Sequence, residues 1–342
     1  MLLTIIFAAL FLGLLIVGVV LWALLLRLGL RWAKIPGVTT RRIVLTTATV
    51  MILQILLDVL LRLSSPATDA QAIFLAIIGL AAAVLLPCLV IRWVFKTRFL
   101  RSLQAWLPTI LSSVAVVLFV FLVLRPFLCE TFSIPTNSMA PTLIGSHWRG
   151  VCPQCGQPNY GSPVEDRYAS SDPPQMICEG FHVARMSDVD KRVLSGDLIL
   201  AAKFLTPRRW DLIVFRYPEN PSTNYVKRLV GLPGEKIYIK DGAVWANGKK
   251  LTPPDSIRGI EYLSHSSQFP GWCPELWGSV DRPAVLGDDE YFVLGDFSAR
   301  ARDSRFWEQG APGHNPFAVP DSYLKGVVTH IYWPPQRWRV LR

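Results

Sequence analysis

The sequence predicts two parts of different kinds: a helical membrane anchor of four transmembrane helices, then a mainly β domain outside the cytoplasm. Three observations predict it. Hydrophobic residues make up 51% of the 342, with a mean hydropathy of +0.34, too apolar for an ordinary soluble protein. Four apolar segments fall within residues 1–125. From 126 to 342 the texture changes to short β-branched and aromatic runs punctuated by Pro, Gly, Asn and Asp.

The apolar segments are Leu2–Leu26, Ile43–Leu61, Ile73–Ile91 and Trp106–Leu124 (about 2–26, 43–61, 73–91 and 106–124), each of 19 residues or more. At 1.5 Å per residue such a length crosses a hydrocarbon core of about 30 Å. Arg27, Arg31, Lys34, Arg41 and Arg42 lie between the first two, and Arg92, Lys96, Arg98 and Arg101 between the last two. Only Arg62 and Arg125 sit at the opposite ends, and the connection Ser64–Gln71 carries no Lys or Arg. Basic loops stay in the cytoplasm, so the N-terminus and everything after Arg125 are expected outside. A cleaved targeting sequence is the rival for Leu2–Leu26; the missing basic n-region, the long run and the basic loop that follows argue against it. Gln54 and Asp58 could mark an ion path, but Asp58 lies three residues from the segment end and is expected to reach the outer surface beside Arg62. Pro87 and Pro108 are expected to bend their spans.

Beyond Arg125, DLIVFRYP, EKIYIKDGAVWANGKKL and EYFVLGD read as strands, and the Asp-Gly and Asn-Gly pairs of the second read as turns of consecutive hairpins. His147–Leu194 is the most irregular stretch and is expected to be an insertion, at about 147–194. The formal charge of +10 does not belong to this domain: residues 1–125 hold 11 Lys/Arg against 2 Asp/Glu, and residues 126–342 hold 24 against 23. No nucleic-acid face is expected from such a balance.

Ser138 comes 13 positions after Arg125, within about 45 Å of the bilayer even on a fully extended chain. A serine needs a base to become a nucleophile, and none of His147, His182, His265, His314 and His330 stands in a recognisable triad context. Lys227, in Tyr225-Val226-Lys227-Arg228-Leu229, follows an aromatic and an apolar residue. A lysine desolvated against apolar walls gives up its proton more easily and can then take one from a serine, the Ser-Lys variant of acyl-transfer chemistry. One such lysine alone proves little, since most reach solvent.

The combination is more specific. TFSIPTNSMAPTL (131–143), RWDLIVFRYP (209–218), YVKRLVGLPGE (225–235) and GDFSARARDSRFW (295–307), in that order behind a membrane anchor, resemble bacterial type I signal peptidase. LKGVVTHIYWP (324–334) extends the resemblance; the first three spans lie outside it and exceed the family's usual one or two. The resemblance implies a β catalytic domain of the signal peptidase type, with Ser138 as nucleophile and Lys227 as general base. It implies an oxyanion held by the Ser138 backbone N–H and the Thr136 hydroxyl, where the family commonly has serine. It places Ile134, Pro135, Met139, Leu143, Tyr225 and Val226 around shallow apolar pockets suited to small side chains, and pairs Arg228 with Asp296 and Asp303 with Arg305 as structural ion pairs. The last box departs from the pattern: the serine that hydrogen-bonds the catalytic lysine in the family falls on Ala301, leaving Ser298 or Ser304 to substitute.

Cys152-Pro-Gln-Cys155-Gly, followed by Cys178 and His182, has the spacing C-x2-C-x22-C-x3-H and resembles half a zinc ribbon. A structural zinc on these four residues competes with a disulfide from Cys152 or Cys155 to Cys178, because disulfides form readily outside the cytoplasm. Cys88 is expected in the core of a span; Cys129 and Cys273 take no role. No cofactor is expected for catalysis, since no H-E-x-x-H or carboxylate–histidine cluster occurs.

The resemblance implies a multi-pass protein of the bacterial cytoplasmic (inner) membrane that cleaves signal peptides from exported preproteins after small residues at −1 and −3. Its partners would be those preproteins, the lipid bilayer and the protein export machinery. The rival from another class is an inactive homologue that binds or scaffolds exported chains, motivated by Ala301 and the added spans. A third reading is a Ser-Lys protease acting on another membrane substrate.

Overall fold

The computed structural model describes residues 2–64, 69–163, 173–186, 189–269 and 275–342. Cys273 and the middle of the Ser64–Gln71 connection lie outside the described residues. Helix α1 (Leu2–Trp32), α2 (Thr40–Leu63) and α3 (Asp69–Phe95) are followed by α4 (Phe99–Trp106), a 3₁₀ turn at Leu107–Thr109, α5 (Ile110–Phe119) and π-type turns over Val120–Leu128. Four helical stretches are long and apolar enough to cross a membrane: Leu12–Trp32, Thr40–Leu61, Ile73–Phe95 and Phe99–Leu128. Their outward faces are apolar, as with Leu56, Leu80 and Leu111, the pattern of a surface made for lipid rather than water. Inside, Leu26, Leu30, Ile91 and Ala105 form a cluster, and Thr46 and Thr47 return their hydroxyls to the carbonyls of Arg42 and Ile43. Pro108 falls in the 3₁₀ turn between α4 and α5, and Pro87 sits inside a continuous α3.

The chain divides into two units, Met1–Val123 and Leu124–Arg342. The helical turns run three residues past Arg125 before β1 (Cys129–Ser133) begins. The second unit is mainly antiparallel β, the class the sequence predicts. Its largest sheet has the order β1, β7 (Leu198–Ala202), β16 (Leu324–Trp333), β8 (Leu212–Tyr217), β9 (Asn220–Gly231), β14 (Glu290–Leu294) and β15 (Val319–Pro320), with β17 (Arg339–Val340) paired to β16. Among the described residues β1 is therefore a terminal strand. The hairpin run forms β10 (Lys236–Lys240), β11 (Ala243–Ala246) and β12 (Lys249–Lys250), joined on its other side by β13 (Ala284–Val285). Asp241 and Gly242, then Asn247 and Gly248, all take positive φ at the two turns.

Residues 147–194 make a sheet of their own, in the order β5 (Val183–Arg185), β4 (Gln175–Cys178), β3 (Pro158–Gly161), β2 (His147–Val151), β6 (Asp190–Leu194). Its two ends meet, His147 pairing with Leu194. A segment that closes on itself in this way can be inserted without disturbing the strands on either side.

The candidate active site

The segment after β1 carries Ser138 and is fixed chiefly by backbone bonds. Ile134 N–H donates to Asp197 O at 3.0 Å, Asp197 N–H to Ile144 O at 2.7 Å, and Ser146 N–H to Pro135 O at 3.2 Å. Ile134, Met139 and Leu143 point into a buried cluster with Ile199, Val214 and Val328, so apolar burial fixes one side of the loop and leaves Ser138 on the other, partly exposed. Between them sits Asn137, 2% exposed. Its amide nitrogen donates to Ser146 O at 3.0 Å and Gly161 O at 2.9 Å, and its oxygen accepts the Gly145 N–H at 2.8 Å. The sequence reading missed this residue; a lone Asn beside a serine gives no signal until its partners are known.

Lys227 comes from β9, a strand exposed over its first five residues and buried over its last five. Lys227 is the first of those buried positions, 4% exposed. Its Nζ lies 2.8 Å from Ser138 Oγ, 3.2 Å from Val226 O and 5.2 Å from the Tyr225 ring centre. Tyr225 is held by stacking on Tyr217, with ring centres 4.3 Å apart. The two residues singled out in the sequence are thus in hydrogen-bond contact across 89 positions.

They open on a cleft of about 690 Å³. Thr131–Ser133 of β1 line it together with Ile134–Met139, Thr223–Lys227, Arg300 and Arg302. Ile134, Pro135, Thr136, Met139, Tyr225 and Val226 all line it. Leu143 does not: it is fully buried in the cluster beneath. Its N–H bonds Met139 O at 2.9 Å, a helical turn that aims it inward.

Both predicted ion pairs are formed. Arg228 Nε and Nη2 donate to the two Asp296 oxygens at 2.7 and 2.5 Å, and Thr142 Oγ1 donates to Asp296 Oδ2 at 2.5 Å. Arg305 Nε and Nη2 reach Asp303 at 2.9 and 2.8 Å, both side chains fully enclosed. At Gly295 a β-carbon would stand 2.7 Å from Ser138 O and 2.2 Å from Ala301 Cβ, so the backbone passes directly under the serine, with Ala301 packed against it. The hydroxyls of the two substitute serines are committed to other partners. Ser298 Oγ accepts from Leu263 N–H and Arg305, both at 2.9 Å, and Ser304 Oγ accepts from Val293 N–H at 3.0 Å.

The family model described as signal peptidase, peptidase S26, matches residues 175–333, which takes in Lys227 and the last box. Signal peptidase I of Pseudomonas fluorescens is 29% identical over 236 residues, covering 64% of this chain and 70% of that protein. Signal peptidase I of Pseudomonas aeruginosa is 28% identical over 234 residues, with the same coverage of 64% and 70%. That of Rickettsia prowazekii is 27% identical over 213 residues, 57% of this chain and 71% of that one. These similarities bear out the resemblance read from the boxes.

Proposed function

We propose that this chain, a relative of the bacterial type I signal peptidases, is a membrane-bound serine endopeptidase that removes N-terminal signal peptides from exported preproteins. The observation that carries the mechanism is the 2.8 Å contact between Ser138 Oγ and a Lys227 amine that is 4% exposed. With the amine neutral, the hydroxyl proton passes to Nζ as Oγ attacks the scissile carbonyl. The oxyanion that forms is held by the Ser138 N–H and the Thr136 hydroxyl; one such donor supplies about 3–4 kcal/mol. The ammonium then protonates the leaving amine, and the released mature chain leaves an ester on Ser138. Water attacks that ester, Lys227 again taking the proton and passing it to Ser138 Oγ as the ester bond breaks and the signal peptide departs.

The substrate binds extended along β1, where main-chain pairing gives affinity and alternate side chains enter the cleft. Small residues at −1 and −3 fit the shallow walls made by Ile134, Met139 and Val226. The four apolar helices anchor the chain in the bacterial cytoplasmic membrane, N-terminus outside, by the distribution of basic loops. Ser138, 13 positions after Arg125, then meets a cleavage point whose apolar segment remains in the bilayer. The export machinery would deliver it.

The test is cleavage of a preprotein by the purified full chain in detergent, with the cut mapped. Ser138→Ala and Lys227→Ala are each expected to abolish turnover while the wild type cuts after small residues. Near-normal turnover in either variant removes the dyad; no cleavage by the wild type where a known relative works makes the chain a binder.

A further inference from the structure

The insertion carries a second constellation that catalysis does not use. Two turns face each other at one end of its sheet: residues 152–157 between β2 and β3, and residues 179–182 between β4 and β5. In the first, Cys152 N–H donates to Gln157 O and Gly156 N–H to Cys152 O, both at 2.8 Å. Gly156 takes φ +72°, a conformation that favours glycine. In the second, Phe181 N–H donates to Cys178 O at 2.9 Å, and Cys178 N–H to His182 O at 3.1 Å. Backbone N–H groups of Gln154 and Cys155 are also directed at the Cys152 sulfur, and those of Gly180 and His182 at the Cys178 sulfur. Both turns therefore bring backbone donors round their first sulfur.

We propose that Cys152, Cys155, Cys178 and His182 bind a structural zinc ion that ties these two turns together. Their ligand atoms all lie within 4.8 Å of one another. Cys155 Sγ is 3.6 Å from Cys178 Sγ, and Cys152 Sγ is 4.0 Å from His182 Nδ1. Zinc–sulfur bonds of about 2.3 Å in a tetrahedron put sulfurs about 3.8 Å apart, so the ion fits between the side chains where they stand. A disulfide needs about 2.05 Å between sulfurs and uses only two of the three thiols. Three thiolates and one imidazole are a soft donor set suited to zinc, and four protein ligands leave no open position for water, so the ion is structural and takes no part in hydrolysis.

The site bears on the serine loop through packing. Ile177 beside Cys178 and Phe181 beside His182 pack with Ala140 and Phe297, and Asn137 hydrogen-bonds Gly161 of β3. The sheet that the metal closes is thus the one that Asn137 and Ala140 lean on, the immediate surroundings of Ser138.

The test uses the full chain purified in detergent without chelator. Metal analysis is expected to find one zinc per chain, retained in Cys129→Ser and Ser138→Ala and lost in Cys155→Ser and His182→Ala. Should a variant fail to fold, the wild type alone decides. Its three insertion thiols are expected to resist alkylation until a chelator removes the metal, with zinc appearing in a metallochromic indicator as they react. Absence of zinc, zinc unchanged in the ligand variants, or a disulfide among these cysteines in the native protein overturns the site. Retention of zinc in the inactive Ser138→Ala keeps this outcome separate from that of the proteolytic reading.

Discussion

Arg228 grips Asp296 at two points, Nε to Oδ1 at 2.7 Å and Nη2 to Oδ2 at 2.5 Å, the arginine next in sequence to Lys227 and the aspartate next to a residue bonded to Ser138. Lys227 precedes the arginine; Phe297, whose N–H donates to Ser138 O at 3.1 Å, follows the aspartate. The ion pair therefore ties the strand that bears the base to the backbone beneath the nucleophile. Removing one partner leaves the other buried and uncompensated, at a cost of about 3–5 kcal/mol. Asp296→Asn and Arg228→Leu should each lower the thermal midpoint of the detergent-solubilised chain sharply. The double replacement should cost less than the two singles together, and strict additivity would show that the two side chains do not act as a pair.

Asn137 makes a prediction of a different kind, because its amide is committed to backbone groups of the serine loop and of β3. Asn137→Ala strands the buried Gly145 N–H, at about 1–3 kcal/mol, and unties the serine loop from β3. Turnover should fall through kcat with KM nearly unchanged, since the cleft walls stay in place. A rise in KM at constant kcat would assign Asn137 to substrate binding instead.

Leu143 separates core from cleft. Leu143→Ala should cost about 2–5 kcal/mol of stability and leave the preference for small residues at the cut untouched. Val226→Phe, on the cleft wall, should do the reverse. Altered cleavage-site choice in Leu143→Ala would return that side chain to the pocket.

Ala301 stands where the resemblance implies a serine whose hydroxyl reaches Lys227. Ala301→Ser should raise kcat by no more than about tenfold, the value of one well-placed hydrogen bond. Unchanged kinetics, with the variant folded, would mean that this chain orients Lys227 by other means.

His147, 3% exposed at the root of the insertion, makes stability depend on pH. Burial holds its imidazole below the ordinary value, with Arg149 and Arg337 pressing the same way against the Gly145 carbonyl and Asp197. The unfolded chain then binds the proton more readily than the folded one. The contribution is complete above about pH 6.5 and is lost as pH falls through the folded value. Thermal midpoints measured from about pH 8 to about pH 5 should fall towards acid, less steeply in His147→Gln. Identical slopes would exclude His147 as the group responsible.

How much of this was legible in the sequence varies with the physics of each feature. Apolar length is local, so the four helical stretches could be read without a partner. The stretch His147–Leu194 stands out in the sequence by its irregularity, but the pairing of His147 with Leu194 is a contact across 47 positions that no local pattern announces. The Ser138–Lys227 contact spans 89 residues and was legible only through the company its boxes keep. Leu143 was not legible: an apolar side chain five positions after the serine looks the same whether it faces cleft or core. Nor were Asn137 and the engagement of Ser298 and Ser304, since a buried polar group is defined by partners that fold in from elsewhere.

The shortness of β1 has a consequence for what the protein can recognise. A guest strand laid along five residues spans about 17 Å, and alternation turns only two or three of its side chains towards the host. On the proposed function, recognition confined to so brief a word leaves the remainder of each leader free to diverge.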